Sequence, residues 1–134
     1  MIKLLIVDDE QIERDAMKAI LQRSFPQLII ELAKNGKIAI EKSQVFKPDV
    51  MLMDIKMPGM SGLEAIERIS EDSSNIKFIM VTAYDSYDYA RSAIKLGVRD
   101  YLLKPSKLSE IKEIVGKVLN EIEIERSKMN QFTN

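Results

Sequence analysis

The chain has 134 residues, 46% hydrophobic and 31% charged, which is room for one domain with a proper core and too little for two. It contains no cysteine and no histidine, which excludes disulfides, thiol chemistry, histidine acid–base catalysis and the usual zinc sites. A net charge of −1 gives no general attraction to nucleic acid, and no run approaches the ~18 apolar residues of a membrane span. The chemistry left to it rests on carboxylates, lysines, hydroxyls and a hard metal ion.

The N-terminal run Ile2–Val7 is apolar and leads into Asp8-Asp9 with no small-residue cleavage site, so it reads as a strand and not as a signal peptide. Ile12, Ala16 and Ile20, joined by Met17 and Leu21, then recur at helical spacing. A second strand covers Leu28–Ala33, and a second helix Gly36–Phe46 carries Ile38, Ala39, Ile40 and Val45. The third pair is the strand Val50–Met53 and the helix Gly62–Ile69, separated by the turn signal Met57-Pro58-Gly59. The fourth is Phe78–Val81 followed by Tyr87–Leu96, with Tyr87, Ala90 and Ile94 on one stripe and Gly97 as a stop. A fifth strand, Val98–Leu103, precedes the longest helix, with Leu108, Ile111, Val115, Val118 and Ile122 at three- and four-residue steps. The segment after Ile124 loses that stripe and is expected to fray.

The apolar runs lack in/out alternation, as strands covered on both faces do. Five strands alternating with five helices predict a doubly wound α/β fold with a parallel sheet and helices on both faces. Its expected order is the flavodoxin-like 2-1-3-4-5, because a second glycine-rich crossover of the dinucleotide-binding kind is missing.

Polar residues close four of the strands: Asp8 and Asp9 after the first, Asp54 after the third, Thr82 after the fourth and Lys104 after the fifth. Carboxyl ends are the edge at which such sheets bind ligands, and the expected order places strands one and three side by side. Three neighbouring carboxylates repel unless a cation joins them, and an all-oxygen set suits Mg²⁺. A metal and a lysine ammonium facing a carboxylate nucleophile form an arrangement that promotes phosphoryl transfer. Singly, each residue has a plain structural reading. Asp8-Asp9 suits a helix cap, Asp54 a turn, Thr82 an ordinary strand position, Lys104-Pro105 a strand end and Tyr101 a sheet aromatic.

Four segments together resemble bacterial response-regulator receiver domains over residues 2 to 122. They are Leu5-Ile6-Val7-Asp8-Asp9-Glu10, Met51 through Gly62, Val81-Thr82-Ala83 and Asp100 through Pro105. The resemblance implies that Asp54 is the phosphoacceptor and that Asp9, Asp54 and the Lys56 main-chain carbonyl ligate Mg²⁺. Asp8 would act largely through water. It further implies that Thr82 and Lys104 bind phosphoryl oxygens, that the Lys104-Pro105 bond is cis, and that Tyr101 switches with Thr82. Lys56 and Tyr84 hold positions that tune water access to the phosphoryl group, and Ser106 replaces a common apolar residue. By the same resemblance the phosphodonor is a sensor histidine kinase, the location is cytoplasmic, and the fourth helix, fifth strand and fifth helix form a face for homodimers. Residues 1–123 are then the receiver and 124–134 a polar tail or linker to an absent output domain. That output is expected to be of the AraC type, making the parent a transcription regulator, with no DNA or membrane binding by this chain alone. The alternative is a stand-alone receiver acting by contact or phosphorelay. An Mg²⁺-dependent hydrolase would need a second aspartate where Lys56 stands, so the chain is not expected to be an enzyme. A degenerate docking module would have lost some of the five residues, and none is missing.

Overall fold

Strands of this chain alternate between two cores instead of between core and solvent. In β1 (Lys3–Val7), Leu4 and Ile6 pack into one apolar cluster and Leu5 and Val7 into the other. The same alternation divides Val50 and Leu52 from Met51 and Met53 in β3 (Val50–Asp54). It also divides Ile79 and Val81 from Phe78 and Met80 in β4 (Lys77–Thr82). Every phase of the strand is therefore apolar, which is why the sequence shows continuous runs. The computed structural model describes residues 1–73, 75–83 and 87–133.

The remaining strands are β2 (Ile29–Ala33) and β5 (Asp100–Leu103), and the sheet runs β2-β1-β3-β4-β5 with every pairing parallel. The helices are α1 (Gln11–Ser24), α2 (Gly36–Val45), α3 (Gly62–Asp72), α4 (Tyr87–Lys95) and α5 (Leu108–Thr133). Helices α1 and α5 cover one face of the sheet, while α2, α3 and α4 cover the other. The expected fold and strand order are those observed. Asp54 and Thr82 extend their strands by one residue, and β5 starts at Asp100 although Arg99 N–H already bonds the Phe78 carbonyl at 2.8 Å.

Three helices present a different stripe from the one expected. Small residues take the buried side of α2, where Gly36, Ala39 and Ser43 are buried with Phe46 while Val45 is 86% exposed. Ala93 likewise takes the buried position in α4 and leaves Ile94 75% exposed. In α1 the buried side falls on Leu21 with Met17 and Ile20, while Ile12, in the first turn beyond the strand ends, is 83% exposed. Leu108, at the start of α5, is half-exposed for the same reason.

The tail after Ile124 is helical to Thr133, against the expectation that it frays. Its apolar packing does end at Ile122, and ion pairs at the amino edge of the sheet take over. Lys77, buried at the start of β4, places its ammonium 2.9 Å from Glu125 and 3.9 Å from Glu121. Glu121 also meets Arg99 at 3.2 Å. Arg126 reaches Asp49 at 2.8 Å and the Met1 carbonyl at 2.9 Å. The network ties α5 to the segments that open β1, β3, β4 and β5. Lys77→Met removes two of these pairs while keeping the apolar stem. Amide hydrogen exchange from Glu121 onward is expected to quicken about 3- to 10-fold, matching the ~0.6–1.4 kcal/mol of such pairs, with the residues around Val115 unchanged.

Candidate phosphoacceptor site

The two-residue period that sorts apolar side chains also places Asp8 in phase with Leu4 and Ile6, and Asp54 in phase with Val50 and Leu52. Since β1 and β3 are hydrogen-bonded neighbours, both carboxylates arrive on the α1/α5 side of the sheet at its carboxyl edge. Asp9, on the first residue past them, is exposed. Asp8, Asp9 and Asp54 offer one oxygen each within 4.8 Å of one another. Lys104, from the end of β5, spans the group: its Nζ lies 2.7 Å from Asp8 Oδ2 and 3.4 Å from Asp54 Oδ2. The Lys104-Pro105 peptide bond is cis, as expected.

These groups line a cavity of about 560 Å³ whose polar mouth also carries Glu10, Glu13 and Lys56 and whose floor includes Met17, Ile20, Leu52 and Ile111. Val81 and Ala83 line it too, with Thr82 between them fully buried at the end of β4. Tyr101, half-buried on β5, packs against the other core. The structure thus brings Asp8, Asp9, Asp54, Lys56 and Lys104 to one cavity and leaves Thr82 and Tyr101 outside its lining. Tyr84 lies outside the described residues.

The Asp54 carboxyl is raised to about 6, chiefly by burial; Lys104 opposes the rise, and the charges of Asp8 and Asp9 add to it. Burial acts against the Lys104 charge as well, yet the hydrogen bond to Asp8 and the charges of Asp54, Asp8 and Glu13 outweigh it and hold the ammonium above its ordinary value. Lys104 therefore pairs with two of the three clustered acids, Asp8 and Asp54, and with Asp9 in no such pair among the described residues the cluster keeps an excess of negative charge. The shortfall favours a further cation, and the carboxylate donors are of the kind Mg²⁺ takes.

Two residues of the site gave no separate sign in the sequence. A Cβ on Gly62 would lie 2.0 Å from the Asp54 carbonyl oxygen and 2.9 Å from Met53 Cγ, while Gly62 N–H bonds the Ile55 carbonyl at 2.7 Å. The first turn of α3 therefore rests directly on the backbone of Asp54, an approach only glycine permits. Arg14 in α1 donates to the Asp8 carbonyl at 2.7 Å. Its available signal was a basic residue near a helix N-terminus, where the dipole disfavours positive charge.

Residues 4–116 match the response regulator receiver domain family. The chain belongs to that family. It is 37% identical to the uncharacterized transcriptional regulatory protein YesN of Bacillus subtilis, over 91% of this chain and 33% of YesN. It is also 37% identical to the chemotaxis protein CheY of Thermotoga maritima, over 87% of this chain and 96% of CheY. The receiver (REC) domain of AraT, a response regulator from Geobacillus stearothermophilus, superposes with a TM-score of 0.82 at 35% identity, covering 92% of this chain and 97% of that one. The chain spans about a third to somewhat over half the length of the first curated regulators it matches. Receiver domains are regulatory modules of two-component signalling that interact with histidine kinases and bind Mg²⁺ at an acidic cluster. No helix among the described residues is long and apolar enough to cross a membrane.

A carboxyl whose folded pKa is raised favours the fold most below its ordinary value and loses that contribution as pH rises through about 6. Asp54→Asn is therefore expected to stabilise the metal-free receiver at pH 7.5 by about 1–2 kcal/mol, allowing for screening at the open mouth. The advantage should vanish by about pH 4, as thermal unfolding across pH will show. Gly62→Ala is expected to cost about 1–3 kcal/mol in denaturant unfolding. Gly116→Ala, whose Cβ would meet nothing nearer than Phe25 at 3.6 Å, should be neutral or stabilising.

Proposed function

We propose that Asp54 accepts a phosphoryl group from a sensor histidine kinase and that the resulting acyl phosphate switches the receiver to control an output. The observation that carries this reading is the Lys104 ammonium poised between Asp8 and Asp54, from the ends of three different strands. An Asp54 carboxylate oxygen attacks phosphorus in line, the bond from phosphorus to the donor histidine nitrogen breaks, and the imidazole leaves. Lys104 pairs with one phosphoryl oxygen, exchanging an Asp8 or Asp54 contact for it, and the Thr82 hydroxyl donates to another.

Asp9, Asp54 and the Lys56 main-chain carbonyl would hold Mg²⁺, with Asp8 acting through water. When bound, the ion supplies charge neutralisation for phosphoryl oxygens. Asp54 must be ionised to attack, and a cation beside it favours that form. The chain turns nothing over beyond its own phosphorylation and slow dephosphorylation, because Lys56 stands where a hydrolase would need a general acid.

The added charge favours the arrangement that contacts it, which biases a two-state switch. Thr82 moves towards the phosphoryl group and Tyr101 fills the space it leaves. The face of α4, β5 and α5 changes with them and serves as a surface for homodimers; Ile94 and Leu103 are exposed there. The likeness to YesN, of which this chain spans 33%, supports a transcription regulator; the cytoplasm would be its location, residues 1–123 its receiver and 124–134 a polar tail or the start of a linker. An AraC-type domain beyond it would then bind DNA. The match over 96% of CheY favours the second reading, a receiver that acts alone by contact or phosphorelay.

Intact mass after incubation with acetyl phosphate tests the chemistry. One added phosphoryl group is expected in the presence of Mg²⁺, none after chelation, and none in Asp54→Ala. An adduct that persists in Asp54→Ala would contradict the assignment, and continuous phosphate release over many fast turnovers would restore the hydrolase reading.

A further inference from the structure

We infer that Arg14 is a positioning residue for the metal and phosphoryl site, acting through the peptide group that joins Asp8 to Asp9. The inference rests on the receiver chemistry proposed above. Asp8 is held at every polar atom: its N–H donates to the Ala33 carbonyl at 3.2 Å, and its Oδ1 accepts from Glu10 N–H at 3.0 Å. Its Oδ2 accepts from Lys104 at 2.7 Å, and its carbonyl oxygen accepts from Arg14 Nη1 at 2.7 Å. The last bond has a consequence beyond Asp8. That carbonyl belongs to the Asp8–Asp9 peptide unit, which is planar, so fixing its oxygen fixes the plane from which the Asp9 side chain departs.

Asp9 is exposed, unlike the buried Asp8 and Asp54, and its carboxylate has less around it to set its direction. Sheet pairing does not reach it either, because β1 pairs with its neighbours only as far as Val7. Arg14 closes the turn from the helix side. Its own N–H bonds the Glu10 carbonyl at 3.0 Å, starting α1, while its guanidinium turns back to the end of β1. Glu10 stands at the N-cap and makes no side-chain cap bond, so the guanidinium and the Asp8 carboxylate do the work of joining strand to helix. A positive charge in this first turn opposes the helix dipole, by roughly 0.3–1 kcal/mol. The charge-assisted bond offsets that cost and holds the acid pair ready for a cation.

The test is Mg²⁺ affinity by titration calorimetry on the unsubstituted chain, Arg14→Met and Arg14→Lys, with the metal-free Tm of each measured alongside. Arg14→Met is expected to weaken Mg²⁺ binding about tenfold, the lower end of what loss of a supporting contact costs a metal site. Its Tm should fall by only a few degrees. Arg14→Lys, which keeps the charge and a donor, should recover most of the affinity. Should Arg14→Met fail to fold, Arg14→Gln removes the reach to the Asp8 carbonyl in a good helix former and carries the same expectation. Equal affinity in the unsubstituted and substituted chains overturns the inference while leaving the receiver chemistry intact. Tighter binding on loss of Arg14 also overturns it, since the guanidinium would then act as a competing charge. Absence of Mg²⁺ binding in the unsubstituted chain overturns the metal reading and this inference together.

Discussion

Three carboxylates converge at the carboxyl edge of this sheet, and the Lys104 ammonium pairs with two of them, Asp8 and Asp54. Asp8 and Asp54 are held in place by neighbouring buried strands and cannot turn away into water. Burial makes the charge on Asp54 costly, and the adjacent acids add to the cost. Lys104 relieves only part of it, since its Nζ is close to Asp8 and longer to Asp54. A site built in this way is left dependent on what binds to it. On the proposed reading a cation would relieve the repulsion, and a phosphoryl group on Asp54 would give Lys104 a better partner than either carboxylate can offer while shared.

The two edges of the sheet carry different electrostatics. At the carboxyl edge the charges are crowded, mostly of one sign, and open to a cavity. At the amino edge Lys77, Arg99 and Arg126 meet Glu121, Glu125 and Asp49 in matched pairs. The first arrangement leaves charge without a partner of opposite sign among the described residues; the second ties a helix to the sheet. Strands β4 and β5 join them, with Lys77 and Arg99 at one end and Thr82 and Lys104 at the other. The clamp involves residues of α5 beyond Gly116, where the match to the receiver family stops. The direction of α5 past the core is thus set by these pairs with the strand starts.

The fold was legible because its signals are local: apolar runs of strand length alternate with helical stripes, and the candidate site residues directly follow the runs. Asp8, Asp9, Asp54, Thr82 and Lys104 could be placed by counting to the ends of strands. Helix phase was harder to read, because hydrophobicity favours Ile94 and Val45 whereas close packing selects Ala93, Ala39 and Ser43. The helical tail was illegible for another reason. Its stability comes from pairs such as Lys77 with Glu125, 48 residues apart, and no periodicity announces them. Gly62 was visible as part of a motif, but its contact with the Asp54 carbonyl depends on how α3 meets β3. Arg14 drew no reading from the sequence, since its partner is a main-chain oxygen.

The central claim is that Asp54 is the acceptor and that Lys104 gives up a carboxylate contact to meet what Asp54 receives. A crystal structure with Mg²⁺ and beryllofluoride, a stable mimic of the phosphoryl group, tests both halves at once. The account predicts density continuous with an Asp54 carboxylate oxygen, and Lys104 Nζ within hydrogen-bond distance of a fluorine. Density on Asp8 or Asp9 instead, or Lys104 unmoved from Asp8 while the adduct stands alone, would contradict it.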